Sequence, residues 1–277
     1  MSTAAKDEAK FWREHQLNDL EVLHVCYRNH TFEPHSHPAF ATSVIDRGVG
    51  NIWYRGRNWR APAGALVMLD PEEVHTGEVV SEEGWAYRIL YPKLDMIHRV
   101  LQEMSADTGS GHSLPRFPEP VVRDLELARA MDRLHRLLAE SAPSMETESH
   151  LLWTYANLLT RHADRTPPWR PVGREPKAIA VVREYLEEHH VENASLQKLS
   201  ELAGLSKFHM LRSFREAVGL PPHAYLTQVR VRHARGMLEA GVSIAEAAER
   251  AGFSDQSHLT RRFKGVMGIT PGQFVRN

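Results

Sequence analysis

The sequence predicts an α+β protein of two domains. A small antiparallel β-barrel with helices after it precedes an all-α domain of two helix-turn-helix units joined by a long helix. Three observations predict this. Residues 21 to 91 hold short β-branched or aromatic runs separated by Gly, Pro and Asp. The hydrophobic period becomes helical near residue 120. After a proline-rich break, one helix-turn-helix pattern occurs twice. A chain of 277 residues has room for about two such domains, and 42% hydrophobic with 25% charged residues is ordinary for a globular protein.

The strands come first. "FATSVIDRGVG", "NIWYRGRNW", "GALVMLD" and "WAYRILYP" are short, closely spaced runs, which suit a sandwich or barrel. In "VVRDLELARAMDRLHRLLAE", Val121, Leu125, Ala128, Leu134, Leu137 and Leu138 approximate one helical stripe. "METESHLLWTYANLLTRHAD" repeats the behaviour with Leu151, Leu152, Tyr155, Leu158 and Leu159. These two helices pack either on the barrel or against a second subunit. "RTPPWRPVGREP" then places four prolines and a glycine where no helix can continue, so it reads as a linker. The predicted division is 1–164, a linker at 165–175, and 176–277.

The C-terminal part is a repeat. "SLQKLSELAGLSKFHMLRSFREAVGLPPHAYL" parallels "SIAEAAERAGFSDQSHLTRRFKGVMGITPGQFV", with Gly204 matching Gly252, Arg212 matching Arg261 and Phe214 matching Phe263. Ser195 and Ser243 suit the N-cap of each first helix, and Ser206 and Ser254 that of each second helix. Gly204 and Gly252 suit the left-handed reversal between them. Met210, Phe214 and Val218, like Leu259, Phe263 and Met267, recur every four residues and should be buried. The opposite face carries Phe208, Arg212 and Arg215 in the first copy and Ser257, Arg261 and Lys264 in the second. "PHAYLTQVRVRHARGMLEAG" between the copies forms a rigid helix that spaces the two second helices roughly one duplex turn apart.

Such faces fit double-stranded DNA. Phosphates select Arg, Lys and hydroxyls, and base edges in the major groove select Arg for guanine and Gln for adenine. An exposed Phe208 would suit a thymine methyl. Charge agrees with this division of labour. Residues 176–277 carry 14 Lys+Arg against 10 Asp+Glu, leaving 20 against 25 for the rest, although the whole chain has a net charge of only -1.

The stretches "AGFSDQSHLTRRFKGVMGITPGQF" and "LAGLSKFHMLRSFREAVGLPPHAYL", with their connecting helix, resemble the AraC/XylS family of bacterial transcription regulators over about residues 176 to 277. The resemblance implies base contacts from Phe208, Leu211 and Arg212 in the first recognition helix and from Gln256, Ser257 and Arg261 in the second. It assigns Ser206, Arg215, Ser254 and Lys264 to phosphates. Leu211 departs from the polar residue often found at its position.

"FEPHSHPAFATSVIDRGVG" and "RGRNWRAPAGALVMLDPEEVHTGE" look like the cupin-type ligand-binding and dimerisation domain of many members of that family. His35 and His37, at i and i+2 of a strand, share a face, with His75 a third imidazole. Metallo-cupins usually add a Glu after the His-x-His, but "AFATS" has no carboxylate, and Val67 stands where a ligating His is common. The expected use is therefore a small-molecule pocket lined by His35, His37, His75, Glu78, Tyr87, Arg88 and Tyr91. Strand alternation sets Tyr87 and Arg88 on opposite faces unless a bulge intervenes.

The reading is a ligand-responsive DNA-binding regulator, taken as an activator that senses a compact polar metabolite. No catalytic residue, cofactor or metal is assigned. The alternative is a metal-dependent cupin enzyme fused to a DNA-binding domain. Expected partners are operator DNA, a small effector, a second copy of the chain and, for an activator, RNA polymerase. Cys26 is the one cysteine, read as a buried strand residue in a reducing cytoplasm. No apolar run suits a signal peptide or a membrane span.

Overall fold

Alternating runs in the first part form antiparallel strands, and glycines set where the strands turn. The computed structural model describes residues 7–105, 114–140, 144–166 and 176–276. The chain forms two compact units, Met1–Trp169 and Arg170–Asn277. From residue 167 onward, the expected linker lies outside the described residues.

Among the described residues, the first unit is built on nine strands: β1 (Glu8–Glu14), β2 (Leu20–Tyr27), β3 (Thr31–His35), β4 (Ala41–Tyr54), β5 (Arg57–Pro62), β6 (Leu66–Leu69), β7 (His75–Val79), β8 (Trp85–Tyr91) and β9 (Val121–Val122). All pairings are antiparallel, in the order β1-β2-β8-β4-β6-β9, with β5 and β7 also on β4 and β3 on β7. "FATSVIDRGVG" and "NIWY" are one strand rather than two. The first half of β4 pairs with β6 and β8, the second with β5 and β7, and the register shifts between Ile45 and Arg47. Gly48 makes this passage possible. Its φ is +75°, and a Cβ there would lie 1.8 Å from the Gly84 carbonyl oxygen. The two halves of the sheet enclose one core of Val25, Ile45, Ile52, Tyr54, Val67, Leu69, Trp85, Tyr87 and Ile89.

Three helices follow: α1 (Leu94–Met104), α2 (Leu125–Glu140) and α3 (Met145–His162). The second packs on β4 and β8, and the third packs on the other two helices. Tyr155 is fully buried, and its hydroxyl lies 2.7 Å from Thr42 Oγ1 of β4. Two residues of the predicted stripe are misplaced. Val121 belongs to β9, and Leu125, the first residue of α2, is 64% exposed, the buried face of that helix beginning at Leu127 and Ala128. The short α1 and the polar edge strand β1 were not expected. In β1 only Trp12 and Glu14 are even half-buried, so it carries almost no hydrophobic signal.

The second unit contains α4 (Pro176–Glu188), α5 (Leu196–Ala203), α6 (Lys207–Val218), α7 (Pro222–Glu239), α8 (Ile244–Arg250), α9 (Gln256–Met267) and α10 (Pro271–Phe274). The hydroxyls of Ser195, Ser206 and Ser243 accept the backbone N–H of Lys198, His209 and Glu246, as helix capping predicts. The cap of α9 is Asp255 rather than Ser254. Its carboxylate accepts the His258 N–H at 2.7 Å and, being ionised, opposes the helix dipole better than a hydroxyl. Gly204 and Gly252 both take positive φ, +62° and +82°. Among the described residues, no helix is long and apolar enough to cross a membrane.

Candidate nucleic-acid interface and effector site

The two second helices, α6 and α9, have matched sequences but unequal surroundings. The first packs against α4, α5 and α7, the second against α7, α8 and the single-turn α10. In α6, Phe208 (2% exposed) and Leu211 (3%) are buried together with Met210 and Phe214. Phe208 and Leu211 are therefore core residues, and the expected contacts from them to bases are corrected. The sequence pattern missed this because it could not show how closely α4, α5 and α7 pack around α6.

Of the expected contact residues on α6, Arg215 is exposed and Ser206 and Arg212 are half-exposed. The Arg212 guanidinium lies over the Phe208 ring at 5.9 Å, so the buried phenyl steers the arginine it was expected to accompany.

The helix α9 buries only Leu259 and Phe263. Gln256, Ser257, Arg261 and Lys264 are exposed along it, and Ser254 is exposed just before it. The Ser254 hydroxyl is partly committed, at 3.1 Å from Asp255 Oδ2 and 3.1 Å from His258 Nδ1. Burial, and then the adjacent Arg262 and Arg261, lower the His258 pKa, which favours a neutral ring among the arginines.

One loop braces the two halves of this unit. Arg230 of α7, itself buried, donates from Nε to the His190 carbonyl at 2.6 Å and from Nη2 to the Glu192 carbonyl at 2.9 Å. His233 stacks on His190 with ring centres 3.9 Å apart. Gly252, in the second turn, sits so close to the same loop that a Cβ would lie 2.8 Å from Val191 Cα and O. The loop after α4 is thus wedged between α7 and the second helix-turn-helix.

In the first unit, alternation along β8 turns Trp85, Tyr87, Ile89 and Tyr91 toward the enclosed core. Arg88 points the other way, and its assignment to the pocket is corrected. Its Nε lies 2.9 Å from Asp46 and 3.1 Å from Asp132 of α2, contacts that are ionic in distance without the alignment of a hydrogen bond. Glu78 is also corrected. On β7, His75, Gly77 and Val79 face inward, whereas Glu78 is exposed and accepts from Asn51 Nδ2 at 2.8 Å.

The three histidines do come together. His35 ends β3, where the register pairs it with His75 of β7, and His37 follows two residues past the strand end. Burial, then the neighbouring His75 and His35, push the His37 pKa down to about 4, and burial lowers that of His75. The Tyr91 ring stands 4.9 Å from that of His37, and burial raises its hydroxyl to about 12. The His37 and His75 rings are therefore neutral imidazoles beside a phenol at neutral pH. Val67 is buried among apolar side chains, so no fourth imidazole joins from that position.

Comparison with known proteins follows the same division. Residues 17–154 match the AraC-like ligand binding domain, and residues 199–277 match a helix-turn-helix domain. The chain is 33% identical over 228 residues to the HTH-type transcriptional regulator YbfI of Bacillus subtilis, covering 82% of this chain and 81% of that protein. It is 24% identical over 257 residues to the HTH-type transcriptional activator RhaR of Shigella dysenteriae, covering 90% and 89%. Among solved structures, the DNA-binding domain of AdpA in complex with a target DNA is 29% identical, covers 36% of this chain and 90% of that one, and superposes with a TM-score of 0.34.

Proposed function

The chain belongs to the AraC family of ligand-responsive, helix-turn-helix transcription regulators, and from that premise we propose that it is an activator reading a two-block operator under control of a small polar effector. The observation that carries the proposal is α9, which buries two residues and presents Gln256, Ser257, Arg261 and Lys264 to solvent. An arginine and a glutamine there can read guanine and adenine edges, while a lysine positions the helix on phosphate. On α6 the reading falls to Arg212, with Ser206 and Arg215 on the backbone. The connecting helix of 18 residues measures about 27 Å, the same order as the ~34 Å turn of a duplex. A spacer of that length, with the loop wedge behind it, supports two recognition helices in successive major grooves.

The effector site is placed at His35, His37, His75 and Tyr91, with Tyr87 beneath. Activation follows the role of its relative RhaR, a transcriptional activator, and brings RNA polymerase in as a partner. Residues 1–164 would sense and dimerise, and residues 176–277 would bind DNA in the cytoplasm, with no enzymatic step. Ligand control requires that the effector bind one DNA-affinity state more tightly than the other, and DNA must then raise effector affinity by the same factor.

The test is selection of bound duplexes from a random pool on the full chain, with and without a metabolite extract. Enrichment of two blocks about 10 base pairs apart supports the proposal. No enrichment in either condition sinks it.

A further inference from the structure

The histidine cluster has a chemistry that the effector reading does not use. Ring centres of His35, His37 and His75 are separated by 4.4 to 5.1 Å, and one nitrogen from each lies within 4.8 Å of the others. They come from two segments that are tied together. In the turn before β7, Glu72 holds the left-handed conformation (φ 59°), and its N–H donates to the His37 carbonyl at 2.8 Å. A non-glycine residue in that region is sparsely populated and persists when its surroundings hold it there.

Hydrogen bonds also settle which nitrogen faces which way. His35 Nδ1 lies 2.7 Å from the Glu33 carbonyl oxygen, and His75 Nδ1 lies 2.9 Å from that of Glu73. A carbonyl only accepts, so both Nδ1 atoms carry the proton and donate it. In the neutral ring the lone pair is then on Nε2. A backbone carbonyl orienting one nitrogen while the other stays basic is the usual outer arrangement of a metal-bound imidazole. Both strands use it, each toward the residue two before.

We propose that His35, His37 and His75 bind one divalent transition-metal ion, through Nε2 of His35 and His75 and a ring nitrogen of His37. Three imidazole donors without a carboxylate select ions that accept nitrogen, such as Zn2+, Co2+, Ni2+ and Cu2+, over the oxygen-seeking Mg2+ and Ca2+. A tetrahedral ion about 2.0–2.1 Å from each donor needs donors about 3.3 Å apart, so the set closes by at most about 1.5 Å. His37 lies just past the strand end, outside the β3–β7 pairing that fixes His35 and His75. Three protein donors leave a position for water or an effector oxygen. The inference rests on the proposed effector site for its location only.

The experiment uses the untagged full chain, stripped with chelator and dialysed, then equilibrated with Zn2+ alone and assayed by mass spectrometry of the metal. Co2+ substitution is read from visible absorption. The expected result is one ion per chain, the intense visible bands of four- or five-coordinate Co2+, and affinity at least about 100-fold weaker in His35→Ala and in His37→Ala. Both residues are half-exposed, and circular dichroism checks that the variants fold. His15→Ala, at an exposed position far along the chain, should bind as the parent does. No ion retained by the parent would overturn the inference, as would equal affinity in folded His35→Ala and His37→Ala. DNA selection is scored separately, so a chain that binds Zn2+ but enriches no operator loses the regulator reading and keeps the metal site.

Discussion

Gly204 and Gly252 occupy the same place in the two helix-turn-helix units, yet alanine there should have unequal consequences. Both have positive φ, +62° and +82°, so both substitutions place a Cβ in left-handed backbone, at roughly 1–2 kcal/mol. At Gly204 nothing lies within 4 Å of the added carbon, and the cost ends there. At Gly252 the Cβ meets Val191 Cα and O at 2.8 Å and the His190 carbonyl oxygen at 3.0 Å. These are backbone atoms, and Arg230 holds the same loop by two hydrogen bonds, so it cannot swing aside as a side chain would. Overpacking adds about 1–3 kcal/mol, giving roughly 2–5 kcal/mol for Gly252→Ala against 1–2 for Gly204→Ala. Urea unfolding of the full chain measures the difference. All six tryptophans lie at or before Trp169, so their fluorescence follows the first unit and serves as an internal control that neither variant should move. Helical circular dichroism then reports the second unit. Equal losses in the two variants would refute the reasoning, because the wedge would then be yielding freely.

Further predictions follow from individual residues. Phe208→Ala and Phe263→Ala should each cost about 3–5 kcal/mol of stability in urea unfolding, since both rings are at most 2% exposed. A stable Phe208→Ala with altered base preference would contradict its burial. Asp255→Ala should cost about 0.5–2 kcal/mol through loss of the α9 cap, by the same assay. His135, 1% exposed, accepts from Arg88 on Nδ1 at 3.4 Å and donates from Nε2 to the Leu23 carbonyl at 3.2 Å. Burial lowers its pKa from 6.5 to about 4, opposed by the hydrogen bond to the Leu23 carbonyl and by Asp132, with Arg88 and His24 adding to the fall. The unfolded chain therefore takes up the proton first. The stability of the first unit should be complete above pH 6.5 and fall toward pH 4, by up to on the order of 3 kcal/mol from this residue. His135→Gln should flatten that slope in fluorescence-monitored unfolding, and an unchanged slope would reject the assignment.

Local rules made the repeat legible. Serine caps, glycines at helix ends and a four-residue apolar spacing depend on residues close in sequence, and Ser195, Ser206, Ser243, Gly204 and Gly252 behave as those rules require. The errors fall where a distant element decides. Phe208 and Leu211 are buried in a helix that packs on α4, α5 and α7, and α4 and α7 reach it from outside the local helix-turn-helix pattern. Arg88 could be placed only when β8 met both its neighbours and α2 supplied Asp132. The convergence of His35 and His37 with His75 depended on the β3–β7 register and the Glu72 turn, neither of which has a sequence signature. Asp255 replaced Ser254 as cap because the second copy has one extra residue before its helix.

The central claim is that two recognition helices read two separate blocks of DNA. The measurement that tests it most directly is the random-pool selection repeated on Arg261→Ala, Arg212→Ala and Lys264→Ala. The account predicts that Arg261→Ala erases preference in one block, by about 1–3 kcal/mol at the affected base pairs, and leaves the other block and the spacing intact. Arg212→Ala should do the converse, and Lys264→Ala should weaken all sequences alike with a shallower salt dependence. If Arg261→Ala and Arg212→Ala instead weaken every sequence uniformly, neither arginine reads bases and the two-block account fails.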